Sequence, residues 1–126
     1  MEYKTPSNLK YTKDHEWALF EENTVTIGIT DYAQSSLGEI VFVELPEIGQ
    51  VIEIGSSFGV IESIKSVSDL YCPISGKVLE INNLLLEQPD LLNSNPYENW
   101  IIKLALSSTD EENSLLSDDQ YKKICD

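Results

Sequence analysis

A chain of 126 residues, 41% of them hydrophobic, has the size of about one domain and enough apolar side chains for a single packed core. Its 22 Asp and Glu against 8 Lys, with no Arg at all, give a formal net charge of −14. That balance excludes the dense basic surface that nucleic acids and anionic membranes require, and favours protein partners with basic docking faces, found by electrostatic steering.

A lone histidine, His15, excludes a histidine-cluster metal site, and Cys72 and Cys125 show neither zinc-ribbon nor redox spacing. The N-terminus MEYKTPSNLK has no apolar leader pattern, and no apolar run reaches the ~18 residues that cross a bilayer. A soluble, cytosolic monomer is expected, with residues 1–126 as one domain: a core over about 9–106 and a helical tail over about 109–125.

Short runs rich in Val, Ile, Phe and Tyr between Gly, Pro, Asn and Ser predict a mostly β chain. Trp17–Phe20 and Val25–Ile29 flank Glu21-Glu-Asn-Thr24 as a hairpin, with Val25, Ile27 and Ile29 on one face. Thr30 as N-cap, Asp31 in the first turn and Gly38 past the end predict a short helix over Asp31–Leu37. Ile40–Leu45 follows as a strand apolar on both sides, stopped by Pro46.

Residues 49–55 and 76–82 share the pattern G-x-V-[IL]-E-I-[GN]. Two such units, each ending at a residue tolerant of positive φ, suggest a pseudo-symmetric sandwich whose halves cover each other's apolar faces. Residues 83–99 read as loop, and Trp100–Leu106 as a last strand. In the tail, Thr109-Asp-Glu-Glu112 and Ser117-Asp-Asp-Gln120 fit capping boxes, with Leu115, Leu116, Tyr121 and Ile124 as apolar contacts.

Side-chain catalysis finds little support. His15 has no nucleophile elbow beside it and reads as a strand-edge side chain packed near Trp17. The carboxylates have no spacing that marks an acid–base pair, and no glycine-rich loop precedes a helix. Lys65 stands apart. It is the one lysine between Lys13 and Lys77, in a stretch that reads strand–tight turn–strand with Ile64-Lys65-Ser66 at the tip. The two repeat units flank it. A lysine held in water on a stiff turn is the geometry for carrying a covalently attached, swinging prosthetic group.

Residues 59–82, GVIESIKSVSDLYCPISGKVLEIN, closely resemble the lipoyl-lysine region of glycine cleavage system H proteins. His15-Glu16-Trp17, Ile27–Asp31, Leu37–Pro46, Leu92-Asn93 and Pro96-Tyr97 resemble further landmarks of that family, so the likeness spans residues 9–125. Biotinyl domains, which present their lysine between methionines, fit less well, because Ile64 and Ser66 flank Lys65. The resemblance implies a barrel-sandwich hybrid of two short antiparallel sheets, with a short helix after the first hairpin and C-terminal helices.

It also implies a non-catalytic carrier with lipoate amide-linked to Lys65 by a lipoate ligase or lipoyl/octanoyl transferase; Glu62, three residues before the lysine, reads either as a carboxylate recognised by that enzyme or as a solvated strand charge. Its implied partners are glycine decarboxylase, a tetrahydrofolate-dependent aminomethyltransferase and dihydrolipoamide dehydrogenase, in a bacterial cytoplasm. Glu16, Ser36 and Asp69 match positions that line a cleft for the loaded arm. Ser36 stands where the family often has histidine, Asp14 where it often has a small hydroxyl residue, and Asn99-Trp100 where it usually has Gly-Trp. An H-like relay that donates lipoate to 2-oxoacid dehydrogenase complexes, or acts in redox signalling, is the alternative the resemblance leaves open.

Overall fold

A computed structural model describes residues 3–107 and 110–125. The chain runs β1 Lys10–Tyr11, β2 Glu16–Glu21, β3 Thr24–Ile29, α1 Asp31–Leu37, β4 Ile40–Glu44, β5 Val51–Ile52, β6 Ser57–Ser63 and β7 Val67–Tyr71. It continues through β8 Gly76–Ile81, α2 Leu84–Glu87, α3 Leu91–Ser94, β9 Ile102–Leu106, a 3-10 turn Asp110–Ser114 and α4 Asp118–Cys125. Six strands form one antiparallel sheet in the order β1-β2-β3-β9-β8-β5, and β4-β6-β7 form a second. The expected class holds: mostly β, two antiparallel sheets and a few helices.

Alternation makes the core. Val25, Ile27 and Ile29 of β3, with Val78 and Leu104 of β8 and β9, meet Ile40, Val43, Ile61 and Leu70 of the smaller sheet in one buried cluster. A second cluster joins Leu9, Tyr11, Trp17 and Tyr121. Trp17 lies directly opposite Gly28 in the β2–β3 register, and its indole fills the space a side chain there would need. Its Nε1–H donates to Pro96 O at 3.1 Å.

Helix α1 forms over the expected residues because its ends are chemically marked. The Thr30 hydroxyl accepts the Ala33 N–H, and Gly38 takes φ 77° while its N–H donates to Gln34 O. The Ser117 capping box also forms: the Gln120 N–H donates to Ser117 Oγ at 3.2 Å, and the Ser117 N–H to Gln120 Oε1 at 2.9 Å. Helix α4 is then docked by Tyr121. Its ring stacks on Tyr11 with centroids 4.7 Å apart, and its hydroxyl is hydrogen-bonded to Thr30 Oγ1 and His15 Nδ1, each at 2.7 Å.

Several expectations are corrected. The two repeat units do not face each other across a sandwich. They are neighbours in one sheet, with Val51 opposite Lys77 and Ile52 opposite Gly76, and Asn82 does not take positive φ. The strand Ile40–Glu44 is not apolar on both sides in the buried sense: a bulge between Ile40 and Phe42 turns Val41 and Phe42 outward. Residues 83–99 are not only loop, since α2 and α3 form there and bury Leu85 and Leu92. His15 stacks on Tyr32, centroids 4.4 Å apart, rather than on Trp17. Ile124 is exposed, and the Thr109 cap lies outside the described residues.

The seating of Trp17 sets a sharp expectation. A Cβ at position 28 would stand 2.6 Å from Trp17 Cε2 and Cζ2. Gly28→Ala is therefore expected to lose ~1–3 kcal/mol of stability through forced movement of the indole. Chemical denaturation followed by tryptophan fluorescence in a Trp100→Phe background, where Trp17 is the one emitter, reads it, and wild-type stability would contradict the close seating.

Candidate functional site

The β6–β7 hairpin pairs Glu62 with Val67 and turns through Ser63–Ser66. The Ser63 N–H donates to Ser66 O at 2.8 Å, and the Ser66 N–H donates to Ser63 Oγ at 3.2 Å. A hydroxyl thus takes the amide that a strand partner would otherwise satisfy, which closes the bend locally. Ile64 and Lys65 project from its apex, Ile64 with 72% of its surface exposed.

The apex is also tied from outside the hairpin. The Ile64 N–H donates to Glu39 O at 3.0 Å, on the connection between α1 and β4. That connection is fixed in turn by Asn93 of α3, whose Nδ2 donates to Gly38 O at 2.8 Å and to Gln34 Oε1 at 3.1 Å, while its Oδ1 accepts the Ile40 N–H at 2.9 Å. Asn93 therefore holds residues 38 and 40, and residue 39 holds the apex. The Lys65 stem crosses Gly38: its Cε lies 3.5 Å from where a Cβ on that glycine would stand. Among the described residues no carboxylate pairs with the Lys65 amine.

Two clefts adjoin these elements. One, of about 830 Å³, lies against the α1–β4 connection and is lined by Gln34, Ser35, Gly38, Glu39, Asp90 and Asn93 among others. The other, of about 370 Å³, is lined by Thr12, Asp14, Glu16, Tyr71, Cys72 and Leu115 among others. Glu16 is 2% exposed, and its carboxylate accepts the Thr12 hydroxyl at 2.7 Å and the Tyr71 N–H at 3.2 Å. Burial pushes its pKa up to about 7 against those two hydrogen bonds, with nearby Asp14 adding a smaller push the same way. Burial likewise raises the Cys72 thiol to about 11.

The residues singled out from the sequence are spread along one hairpin and its neighbours. Lys65 is exposed at the apex and Glu62 half-buried on the arm below it. Asp69 is exposed on β7, accepting the Ser57 hydroxyl at 3.3 Å, two residues before the Tyr71 amide that holds Glu16. Ser36 is exposed on α1. Glu16 lines the smaller cleft; Ser36 and Asp69 line neither. Asn93 and Glu39 were missed as positioning groups. The only sequence signal for Asn93 was its place among the landmarks, and Glu39 acts through its backbone.

Residues 9–126 match the family model described as "Glycine cleavage H-protein". The chain belongs to the glycine cleavage H-protein family. Similar proteins include the glycine cleavage system H protein of Staphylococcus haemolyticus, 55% identical over 120 residues that cover 94% of this chain and 95% of that one. The H protein of Alkaliphilus oremlandii is 53% identical over 123 residues, covering 98% and 97%. Among solved structures, the crystal structure of a glycine cleavage system H protein from Mycobacterium marinum superposes with a TM-score of 0.85 at 35% identity, covering 92% of this chain and 94% of that one. Family membership covers the hairpin, both clefts and α4.

The buried Glu16 predicts a pH dependence. Its folded pKa of about 7 lies above the ordinary 4.5. The stability it contributes is therefore full below about pH 4.5 and lost as pH rises through about 7. The unfolding free energy should fall between pH 5 and 8 by an amount on the order of 1–3 kcal/mol, with denaturation midpoints falling in step, and Glu16→Gln should flatten that fall. An unchanged slope in the variant would contradict the assignment.

Proposed function

We propose that this chain is a lipoylated carrier of the glycine cleavage system, with lipoate amide-linked to Lys65. The observation that carries the reading is the geometry of the apex: an exposed amine on a bend tied at both of its strands and to Glu39. The site fits the group, since Gly38 leaves room for the stem and no ion pair among the described residues must be broken to reach Nζ. On attachment the Nζ ammonium releases one proton to become the attacking amine and a second as the amide forms with lipoate activated as an acyl adenylate or acyl thioester, and AMP or the thiol departs. When bound, the group supplies a dithiolane that accepts an aminomethyl unit and two electrons.

In this reading the aminomethyl group of glycine is received from the pyridoxal-phosphate-dependent decarboxylase and passed to the tetrahydrofolate-dependent aminomethyltransferase. Dihydrolipoamide dehydrogenase then restores the disulfide. The protein does no chemistry of its own. It fixes the root of a tether, which raises the arm's effective concentration at each partner. Glu62, one strand position from the bend, is read by the lipoate ligase or lipoyl/octanoyl transferase. Bacterial relatives and the lack of any described helix long and apolar enough to cross a membrane support a cytoplasmic setting.

The loaded arm carries a cationic amine, and the carboxylates of Asp14 and Glu16 in the smaller cleft, with exposed Asp69 on β7, are the groups to hold it. The Tyr71 N–H that Glu16 accepts ends β7, the strand that leaves the Lys65 bend, so an arm reaching Glu16 runs back along β7. Ionised Glu16 is the form that pairs with the amine. Docking and proton release from Glu16 are therefore coupled near neutral pH.

Intact-mass measurement after co-expression with a lipoate ligase tests the reading. Wild type gains one lipoyl increment, and Lys65→Ala and Lys65→Arg gain none while melting within ~0.5 kcal/mol of wild type, as expected for an exposed turn. Wild type left unmodified, or an increment that persists in Lys65→Ala, would overturn it.

A further inference from the structure

The outer face of the three-stranded sheet carries a pattern that attachment of the arm does not explain. Register places Phe42 opposite Glu62 and Glu62 opposite Val67, and in the next outward row Glu44 opposite Val60 and Val60 opposite Asp69. Directly opposed residues of antiparallel strands share a face, so apolar and acidic side chains interleave there. Phe42 is 47% exposed and Val67 67%, while Val43 and Ile61, in the row between these two rows, are buried and face the core. Regular alternation from buried Ile40 would have turned Phe42 into the core. The bulge between Ile40 and Phe42 turns it out, beside Val41, which is 48% exposed.

We propose that this face is the docking surface for the enzyme that acylates Lys65: Phe42 and Val67 enter an apolar pocket, and Glu44, Glu62 and Asp69 meet its basic rim. The proposal rests on the reading of Lys65 given above. An acylating enzyme must bring Nζ to its own reacting carbon, so the apex and the first row beneath it enter the contact. Enzymes that act on the far end of a long arm need not close on the hairpin. The first row is Phe42, Glu62 and Val67, two strand spacings wide, or about 10 Å.

Charge selects the partner. These two rows hold three carboxylates, Glu44, Glu62 and Asp69, and no basic side chain. A second copy of this chain would bring the same carboxylates face to face, in a molecule already at −14. A basic-rimmed apolar pocket matches both the anchors and the rim, as aromatic side chains ringed by polar groups do at well-packed interfaces.

Purified full-length apo chain, a purified lipoate ligase, lipoate and ATP provide the test, with lipoylation followed by intact mass and docking by calorimetric titration. Phe42→Ser and Val67→Ser are each expected to raise KM and the docking Kd about tenfold with kcat within about twofold. Val51→Ser, an exposed apolar residue of the other sheet, leaves both unchanged, and Lys65→Ala, which cannot be acylated, still docks. Glu44→Lys weakens docking and reduces its salt dependence. Folded Phe42→Ser and Val67→Ser with wild-type KM and Kd would overturn the proposal, and if Phe42→Ser misfolds, Val67→Ser alone decides. A wild-type dimer in light scattering, dissolved by Phe42→Ser while ligase docking is unchanged, would also overturn it by assigning the face to a second copy. A ligase that docks the wild type but never acylates it would strike the Lys65 reading instead.

Discussion

A single backbone hydrogen bond, from the Ile64 N–H to Glu39 O, turns a surface hairpin into a fixed mount. Isolated two-stranded hairpins are marginal in water, and their tips fray. Here the tip is attached to the connection between α1 and β4, and Asn93 clamps that connection on both sides through Gly38 O and the Ile40 N–H. The apex is therefore ordered by the connection between α1 and β4 as well as by the hairpin itself. What is left free is the Lys65 side chain, which lies along a glycine and meets no carboxylate among the described residues.

The rest of the fold supports that mount at a distance. The large sheet gives the small one a face to pack on, through Val25, Ile27 and Ile29 against Val43, Ile61 and Leu70. Helix α4 closes the opposite side through Tyr121, which links Tyr11, Thr30 and His15 and so braces the N-terminus of α1. Bracing α1 at its start and holding Gln34 and Gly38 near its end places Glu39 where the apex needs an acceptor. Glu16 is the exception to the economical core. It is a buried carboxylate given two donors rather than a counter-ion, the pattern of a group kept for function at some loss of stability.

Much of this was legible in the residues. Thr30, Asp31 and Gly38 mark both ends of α1, and strict alternation around Val25, Ile27 and Ile29 marks β3. Lys65 stood out because strand-like runs flank it on both sides. Three things were hidden, each for a physical reason. Helices α2 and α3 are one turn long and lack side-chain caps, so neither periodicity nor capping signals could register. The bulge at Val41 breaks a period of two without any glycine to announce it. The clamp by Asn93 joins residues 53 and 55 positions apart in the chain, which only the fold brings together. The repeat misled because similar strands pack side by side as readily as face to face.

The central claim is a stiff backbone carrying a loose side chain. Backbone and side-chain relaxation of labelled protein by nuclear magnetic resonance tests it most directly. The account predicts order parameters for the Ile64 and Lys65 amides near ~0.85, equal to those of β6 and β7, with the Lys65 side chain far more mobile. Amide values below ~0.6 at the apex, or a Lys65 side chain as rigid as its backbone, would contradict it.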